Sequence, residues 1–436
     1  MKRIITYGTF DLFHQGHYNI LKRAKEEGDY LIVGVTADNY DMERGKISVQ
    51  DSLAKRIENV RATGFADKII VEEYLGQKIS DIIKYNVDML VVGSDWRGKF
   101  DHLKKYCEVK YLERTKNISS TKLREENYHI YDFGIVTDDL NDKDVIIESK
   151  HVSGFHAKCV FSCDPKIAKE FCTKFELDNG YSDYSLFLSN VDIVYICTPL
   201  REREQYIRDA IIAGKHVICT PPFTSDINKE KELFELAREN KVLLVNGITT
   251  EYLSAFEQLL WMVRGNVIGD IISIKCSMSS KKFGAGDKVD FYDMLYYPVF
   301  VIIKCLGYSC FKLHSKIVKN ERDEPLYAFL TFDYDNSVAS IEVGCDLSIS
   351  DGMMIIGTEG SISVPDDWWL VSYFKLKSFH DDRYKRYSSN FDGNGFRYIL
   401  QSVLRMIRHD KYEEISARLS TEELDSIMSV LISALH

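Results

Sequence analysis

The chain has 436 residues, of which 45% are hydrophobic and 28% are charged. That is globular composition, long enough for two or three domains, and it excludes a disordered chain. Lys plus Arg number 56 and Asp plus Glu 66, and the resulting charge of −10 excludes a broad basic surface for duplex nucleic acid.

The opening residues, Met1 to Gly8, hold no apolar run long enough for a signal peptide, so a cytoplasmic protein is expected. A strand is predicted at Arg3–Tyr7, then a helix at Tyr18–Glu27 stopped by Gly28, and a strand at Tyr30–Thr36. A helix at Asp51–Thr63, a strand at Lys68–Val71 and a helix at Lys78–Tyr85 follow. Strands at Asp88–Val92 and Val109–Leu112 and a helix at Lys122–Asn127 complete residues 1–128. Strands alternating with helices imply a parallel sheet covered on both faces, with ligands at the carboxyl ends of its strands. All seven prolines fall at Pro165 or later, which puts the main boundary near residue 130.

The remainder opens the same way. Ile130–Val136, Cys159–Ser162, Ile193–Cys197 and His216–Cys219 read as parallel strands of a second Rossmann-like domain, residues 129–250. The texture then shifts to longer alternating strands at Ile271–Ser277, Tyr327–Tyr334 and Ser337–Val343. These predict an α+β domain, residues 251–436, with an open, mostly antiparallel sheet. The apolar stretch Met294–Phe311 is broken by Pro298, Lys304 and Gly307 and reads as a buried helix, so no membrane span is expected. Ten cysteines without a C-x-x-C pair read as reduced thiols in cores, and no metal site is expected from the chain's own ligands.

Three stretches after strands of the first domain carry chemistry. Gly8-Thr9-Phe10-Asp11-Leu12-Phe13-His14-Gln15-Gly16-His17 runs from strand to helix. Two imidazoles at i and i+3 fall together on the first helical turn, beside unpaired N–H groups and the positive dipole end. Gly16 lets a phosphate approach the backbone. The plain alternative is a pair of surface histidines. Gly93-Ser94-Asp95-Trp96-Arg97-Gly98-Lys99-Phe100 follows the fourth strand, where Trp96 either stacks on a base or simply packs. Arg114-Thr115-Lys116-Asn117-Ile118-Ser119-Ser120-Thr121 follows the last strand. Hydroxyls at a helix start ordinarily cap it; with Arg114 and Lys116 beside them they also suit nucleotide phosphates.

These motifs, in this order, resemble those of the bacterial glycerol-3-phosphate cytidylyltransferases over residues 1–127. The resemblance implies a Rossmann-like nucleotidyltransferase domain that uses CTP with Mg²⁺ and works as a homodimer or higher homo-oligomer. It implies CTP contacts from Thr9, Phe10, Asp11, His14, Gly16, His17, Asp95, Trp96, Arg114, Thr115, Ile118, Ser119, Ser120 and Thr121. His14, His17, Lys46 and Arg114 would act in catalysis, and Lys46 and Lys78 would hold the acceptor phosphate. An arginine of the family has no match, since Gly64 stands at its place and Arg61 lies nearby. The implied acceptor is a polyol phosphate, glycerol-3-phosphate first, with glycerol-2-phosphate, a tetritol phosphate and a pentitol phosphate left open. The product would be a CDP-polyol for teichoic acid or capsule.

Val191 to Pro199, Ala213-Gly214-Lys215-His216-Val217, Val267-Ile268-Gly269-Asp270-Ile271 and Gly357-Thr358-Glu359-Gly360-Ser361-Ile362 resemble the glucose-fructose oxidoreductase, inositol dehydrogenase and rhizopine catabolism (Gfo/Idh/MocA) family. NAD(P) is the implied cofactor, and Asp164, Asp293 and Tyr297 are the candidates for its site and its chemistry. The sequence departs from that family where chemistry is concentrated. Thr137-Asp138-Asp139 replaces a glycine-rich loop, and Thr220-Pro221-Pro222 replaces Glu-Lys-Pro. A domain kept for assembly is therefore expected; the alternative is a reductase that makes the polyol phosphate from a ketose phosphate.

Overall fold

Ile4 and Ile5 are neighbours on one strand, point to opposite faces, and are both fully buried. Each face therefore has its own core, and that fixes the first layer. The structure is a computed structural model that describes residues 1–43, 49, 51–74, 76–113, 129–280, 291–308, 311–365, 367–381, 383–389, 391, 393–408 and 419–435. The chain divides into two compact units, Met1–Ile130 and Tyr131–His436.

In the first unit β1 (Arg3–Gly8), β2 (Tyr30–Thr36), β3 (Lys68–Glu72), β4 (Met89–Gly93) and β5 (Glu108–Leu112) form a five-stranded parallel sheet in the order β3-β2-β1-β4-β5. The helices α1 (Gln15–Glu26) and α3 (Leu53–Ala62) pack on one face through Leu21, Ala24 and Val60, against Ile4, Leu31, Val33 and Met89. On the other face Ile82 of α4 (Gln77–Tyr85) meets Ile5, Ile32 and Leu90. The strand order reverses between β1 and β4, and in such sheets ligands bind beyond the carboxyl ends at that reversal.

Two predicted details are corrected. The first helix begins at Gln15 and not at Tyr18, so His14 is its N-cap and only His17 lies within its first turn. A short helix, α2 (Asp38–Glu43), was not expected. Its Asp41 accepts from Thr9 Oγ1 at 2.8 Å, so tertiary contacts organise a stretch with little intrinsic helical signal.

In the second unit a six-stranded parallel sheet, in the order Leu244–Asn246, His216–Cys219, Ile193–Ile196, Tyr131–Val136, Phe155–Phe161 and Asn179–Tyr181, precedes an eight-stranded mixed sheet. In the mixed sheet only Ile271–Ser279 and Val338–Gly344 pair in parallel among the described strands; the other pairs are antiparallel. One face is covered by the helix Phe291–Leu306, whose residues from Met294 to Lys304 are all buried. A helix apolar on every side belongs at the centre of a domain. Among the described residues no helix is long and apolar enough to cross a membrane.

Candidate active site

β1 runs straight into the first candidate loop. Phe10 and Leu12 have φ of +56° and +45°, a region that non-glycine residues rarely adopt. The turn folds the Phe10 ring back onto the strand, where a Cβ on Gly8 would sit 3.0 Å from its tip. Phe10 is thereby buried. Its ring meets His17 edge-on at 5.5 Å between centroids, and Phe13 lies at 5.5 Å on another side.

His14 and His17 are brought together. Their rings stack with centroids 3.9 Å apart and planes at 18°. His14 Nδ1 accepts the Gly16 N–H at 3.0 Å, doing as N-cap what Ser or Asp usually does. With Nδ1 an acceptor, the neutral ring carries its proton on Nε2. The pair therefore stands at the positive end of α1, with one ring's tautomer fixed by the backbone.

Beneath the loop lies a residue that the sequence did not single out. Arg56 of α3 is fully buried. It donates to the carbonyls of Thr9 and Thr36, each at 2.7 Å, and to that of Asp51 at 3.0 Å. It pairs with Asp38, and its Nη1 lies 3.6 Å from Asp41 Oδ2. Asp11, also buried, accepts the Asp51 N–H at 2.9 Å. Arg56 thus ties the ends of β1 and β2 to the start of α3, and Thr9 and Asp11 belong to its scaffold.

Asp95 and Trp96 lie in the short turn Ser94–Trp96 beyond β4. Trp96 packs near Phe100, at 5.8 Å, with Lys99 Nζ 5.0 Å from its ring. Lys78, at the start of α4, pairs with Glu72 and is only 13% exposed. Lys46, Arg114, Thr115, Ile118, Ser119, Ser120 and Thr121 lie outside the described residues.

The second unit's candidates are held by neighbours. Asp164 is the N-cap of the helix Pro165–Phe175, accepting the Lys166 N–H at 2.8 Å. Asp293 makes a bidentate pair with buried Arg203, both contacts at 2.7 Å. Arg203 also donates to the carbonyls of Thr198 and Pro222. Tyr297, four residues on from Asp293, is buried, and burial pushes its hydroxyl up, with a Thr249 hydrogen bond opposing. The loop after the first strand of this unit holds Asp142 against Thr137 and 3.3 Å from Cys197 Sγ. Burial, with Asp139 adding, pushes the Asp142 carboxyl up to about 6. Asp138 accepts from Ser162 Oγ at 2.5 Å and from the Cys163 N–H at 3.1 Å.

Comparison with known proteins agrees with this division. Residues 5–126 match the cytidylyltransferase-like family. The glycerol-3-phosphate cytidylyltransferase of Bacillus spizizenii is 48% identical over 126 residues, 29% of this chain and 97% of that protein. The chain belongs to the cytidylyltransferase-like family. The Staphylococcus aureus glycerol-3-phosphate cytidylyltransferase is 47% identical over 130 residues, 29% of this chain and 96% of its own length. Joined to this cytidylyltransferase-like unit is an oxidoreductase-family segment, residues 143–248, of the NAD-binding Rossmann fold. The fold of the second unit is shared with KijD10, a 3-ketoreductase from Actinomadura kijaniata solved in complex with NADP. That likeness has a TM-score of 0.60 at 18% identity and covers 70% of this chain and 96% of that one.

The residues at the second unit's crest do not fit a dinucleotide. No glycine occurs between Gly134 and Gly154, so the backbone lacks the close approach that a pyrophosphate needs. Asp138, Asp139 and Asp142 stand in that loop instead. Each close pair of like charges adds about 1–4 kcal/mol of repulsion at water-like to surface dielectric. Pro221 has no ammonium to move a proton, and Asp293 is already paired with Arg203.

Proposed function

We propose that the first unit transfers a cytidylyl group from CTP to the phosphate of a polyol phosphate, glycerol-3-phosphate first, releasing pyrophosphate and a CDP-polyol. The stacked His14–His17 pair at the opening turn of α1 carries this reading. The likeness to glycerol-3-phosphate cytidylyltransferases over nearly their whole length supports it.

In the proposed reaction an oxygen of the acceptor's phosphate forms a bond to the α-phosphorus. The bond from that phosphorus to the bridging oxygen breaks in line, and the electron pair leaves with pyrophosphate. No covalent enzyme intermediate is required, so catalysis is placement plus neutralisation of charge. His14, donating from Nε2, and His17 stabilise the pentacoordinate centre and the bridging oxygen. Arg114 and Lys46 hold phosphates, Mg²⁺ accompanies CTP as part of the substrate, and Lys78 with Lys46 receives the acceptor. Thr9, Phe10, Asp11, Gly16, Asp95, Trp96, Thr115, Ile118, Ser119, Ser120 and Thr121 complete the nucleotide's surroundings. A pyrophosphate-release assay of CTP, ATP, GTP and UTP against several alcohol phosphates tests this. Turnover is expected with CTP alone, and best with glycerol-3-phosphate. Equal turnover with ATP, or none with any pair, refutes it.

For residues 129–250 and 251–436 we propose an assembly role, within a cytoplasmic homodimer or higher homo-oligomer whose product feeds teichoic acid or capsule synthesis. The carboxylates at the crest and the Arg203–Asp293 pair support this reading. A second reading is an NAD(P)H-dependent reductase supplying the polyol phosphate, favoured by the match of residues 143–248. Titrating NADH and NADPH into the full chain while following nicotinamide fluorescence separates the two. No saturable signal is expected, and saturable binding revives the reductase.

A further inference from the structure

We propose that Glu72 is a positioning residue for nucleotidyl transfer: its carboxylate fixes the Lys78 ammonium where the acceptor's phosphate must arrive. This rests on the function proposed above, in which Lys78 meets the acceptor.

Glu72 ends β3 at the carboxyl edge of the sheet, and Lys78 is the second residue of α4. The Glu72 side chain is 1% exposed. One carboxylate oxygen accepts from Thr36 Oγ1, at the end of β2, at 3.1 Å. The other is paired with Lys78 Nζ. Two aromatic rings complete the frame, with Nζ 4.4 Å from the Tyr7 centroid and 5.5 Å from that of Phe100. Ring faces at these distances attract a cation.

The Tyr7 wall is itself fastened. Its hydroxyl donates to Asp81 Oδ2 at 2.9 Å. Gln77 donates to that same carboxylate at 3.2 Å and to the Val71 carbonyl at 2.7 Å, and it accepts the Glu73 N–H at 2.7 Å. Across the sheet Tyr7 is paired with Gly34, where a Cβ would lie 2.2 Å from its ring. The strand beside Tyr7 therefore has no side chain at the one place where this ring needs the room.

A purely structural contact would not call for a carboxylate here. A negative charge at the ligand edge repels two anionic substrates, and an apolar residue such as the preceding Val71 would close the strand without that penalty. The carboxylate has a use if lysine placement matters. A lysine stem is long and flexible, and its ammonium is a point charge without the preset fork of arginine. Glu72 and the rings hold that charge in place before the acceptor binds, so less freedom is lost on binding.

The test uses the full chain, with CTP and glycerol-3-phosphate as substrates, and compares Glu72→Gln, Glu72→Asp and Lys78→Met. Glu72→Gln should raise KM for glycerol-3-phosphate about ten-fold or more while KM for CTP stays within about two-fold, a split that general loss of structure would not produce. Glu72→Asp keeps the charge and should recover part of the loss. If Glu72→Gln fails to fold, Glu72→Asp decides alone: a raised acceptor KM with the CTP value kept supports the proposal, and two unchanged constants overturn it. Unchanged or lower acceptor KM in both Glu72 variants, with Lys78→Met still raising it, removes Glu72 and leaves the proposed function standing. A wild-type chain that turns over no alcohol phosphate removes the function itself.

Discussion

Replacing His17 with alanine lowers turnover of CTP and glycerol-3-phosphate by about 10²–10³-fold, the usual loss when one donor to a developing anionic centre is removed. His14 permits a cleaner version of the same experiment, because it has two jobs. Its Nδ1 caps α1 through the Gly16 N–H, and its ring stacks on His17. Asparagine is a strong N-cap without an imidazole. His14→Asn should therefore lose about 10²–10³-fold in kcat while its urea midpoint stays near wild type. His14→Ala should lose both activity and about 1 kcal/mol of stability. The double alanine variant should lose far less than the product of the single losses, because the stacked rings serve one centre. Steady-state pyrophosphate release and urea unfolding on the same preparations decide the matter. A His14→Asn protein with wild-type turnover removes the imidazole from the mechanism.

What could be read in advance follows a physical line. β2, Tyr30–Thr36, was legible to the residue because a strand buried on both faces is a continuous apolar run with polar residues at its ends. The helix Phe291–Leu306 announced its burial in the same way, by being apolar all round. The start of α1 was misplaced by three residues because apolar periodicity reports packing, whereas the actual cap is an imidazole. Lys312–Lys319 escaped because edge strands carry lysines that mask alternation and also discourage further pairing. The site divides similarly. The two histidines were legible because their spacing and the preceding strand are local in sequence. Arg56 was not, since nothing local distinguishes a buried arginine from the surface ones of an ordinary amphipathic helix. Asp142 was missed for the same reason: its burial depends on Cys197, more than fifty residues away. Glu72 was not legible either: the predicted strand Lys68–Val71 stops one residue short of it, and its partners Thr36 and Lys78 lie on other elements.

Replacing Arg56 with leucine destabilises the first unit by about 3–5 kcal/mol, the range for removing one partner of a buried charged network. Burial and geometry both lead to this value. Arg56 is fully buried, as is Asp41, and Asp41 would be left facing leucine while still accepting from Thr9. The carbonyls of Thr9, Thr36 and Asp51 each lose a charge-assisted donor at the same time. A domain's whole stability is about 5–15 kcal/mol, so much of the margin goes. Arg56→Lys keeps the charge but has one nitrogen where three nitrogens of a planar fork donate to the Thr9, Thr36 and Asp51 carbonyls and to Asp38, so it should recover only part of the loss. Pairing Arg56→Leu with Asp41→Asn should restore some stability, because the carboxylate left stranded is then neutral. The effect also reaches chemistry, since Arg56 fixes the Thr9 carbonyl immediately before strained Phe10, and Phe10 walls His17. Hydrogen exchange on the full chain resolves the claim by location. Protection should fall in β1, β2 and α3 and stay unchanged in the six-stranded sheet of the second unit. Equal protection throughout the first unit in Arg56→Leu would show that the buried guanidinium is not what ties the loop after β1 to its sheet.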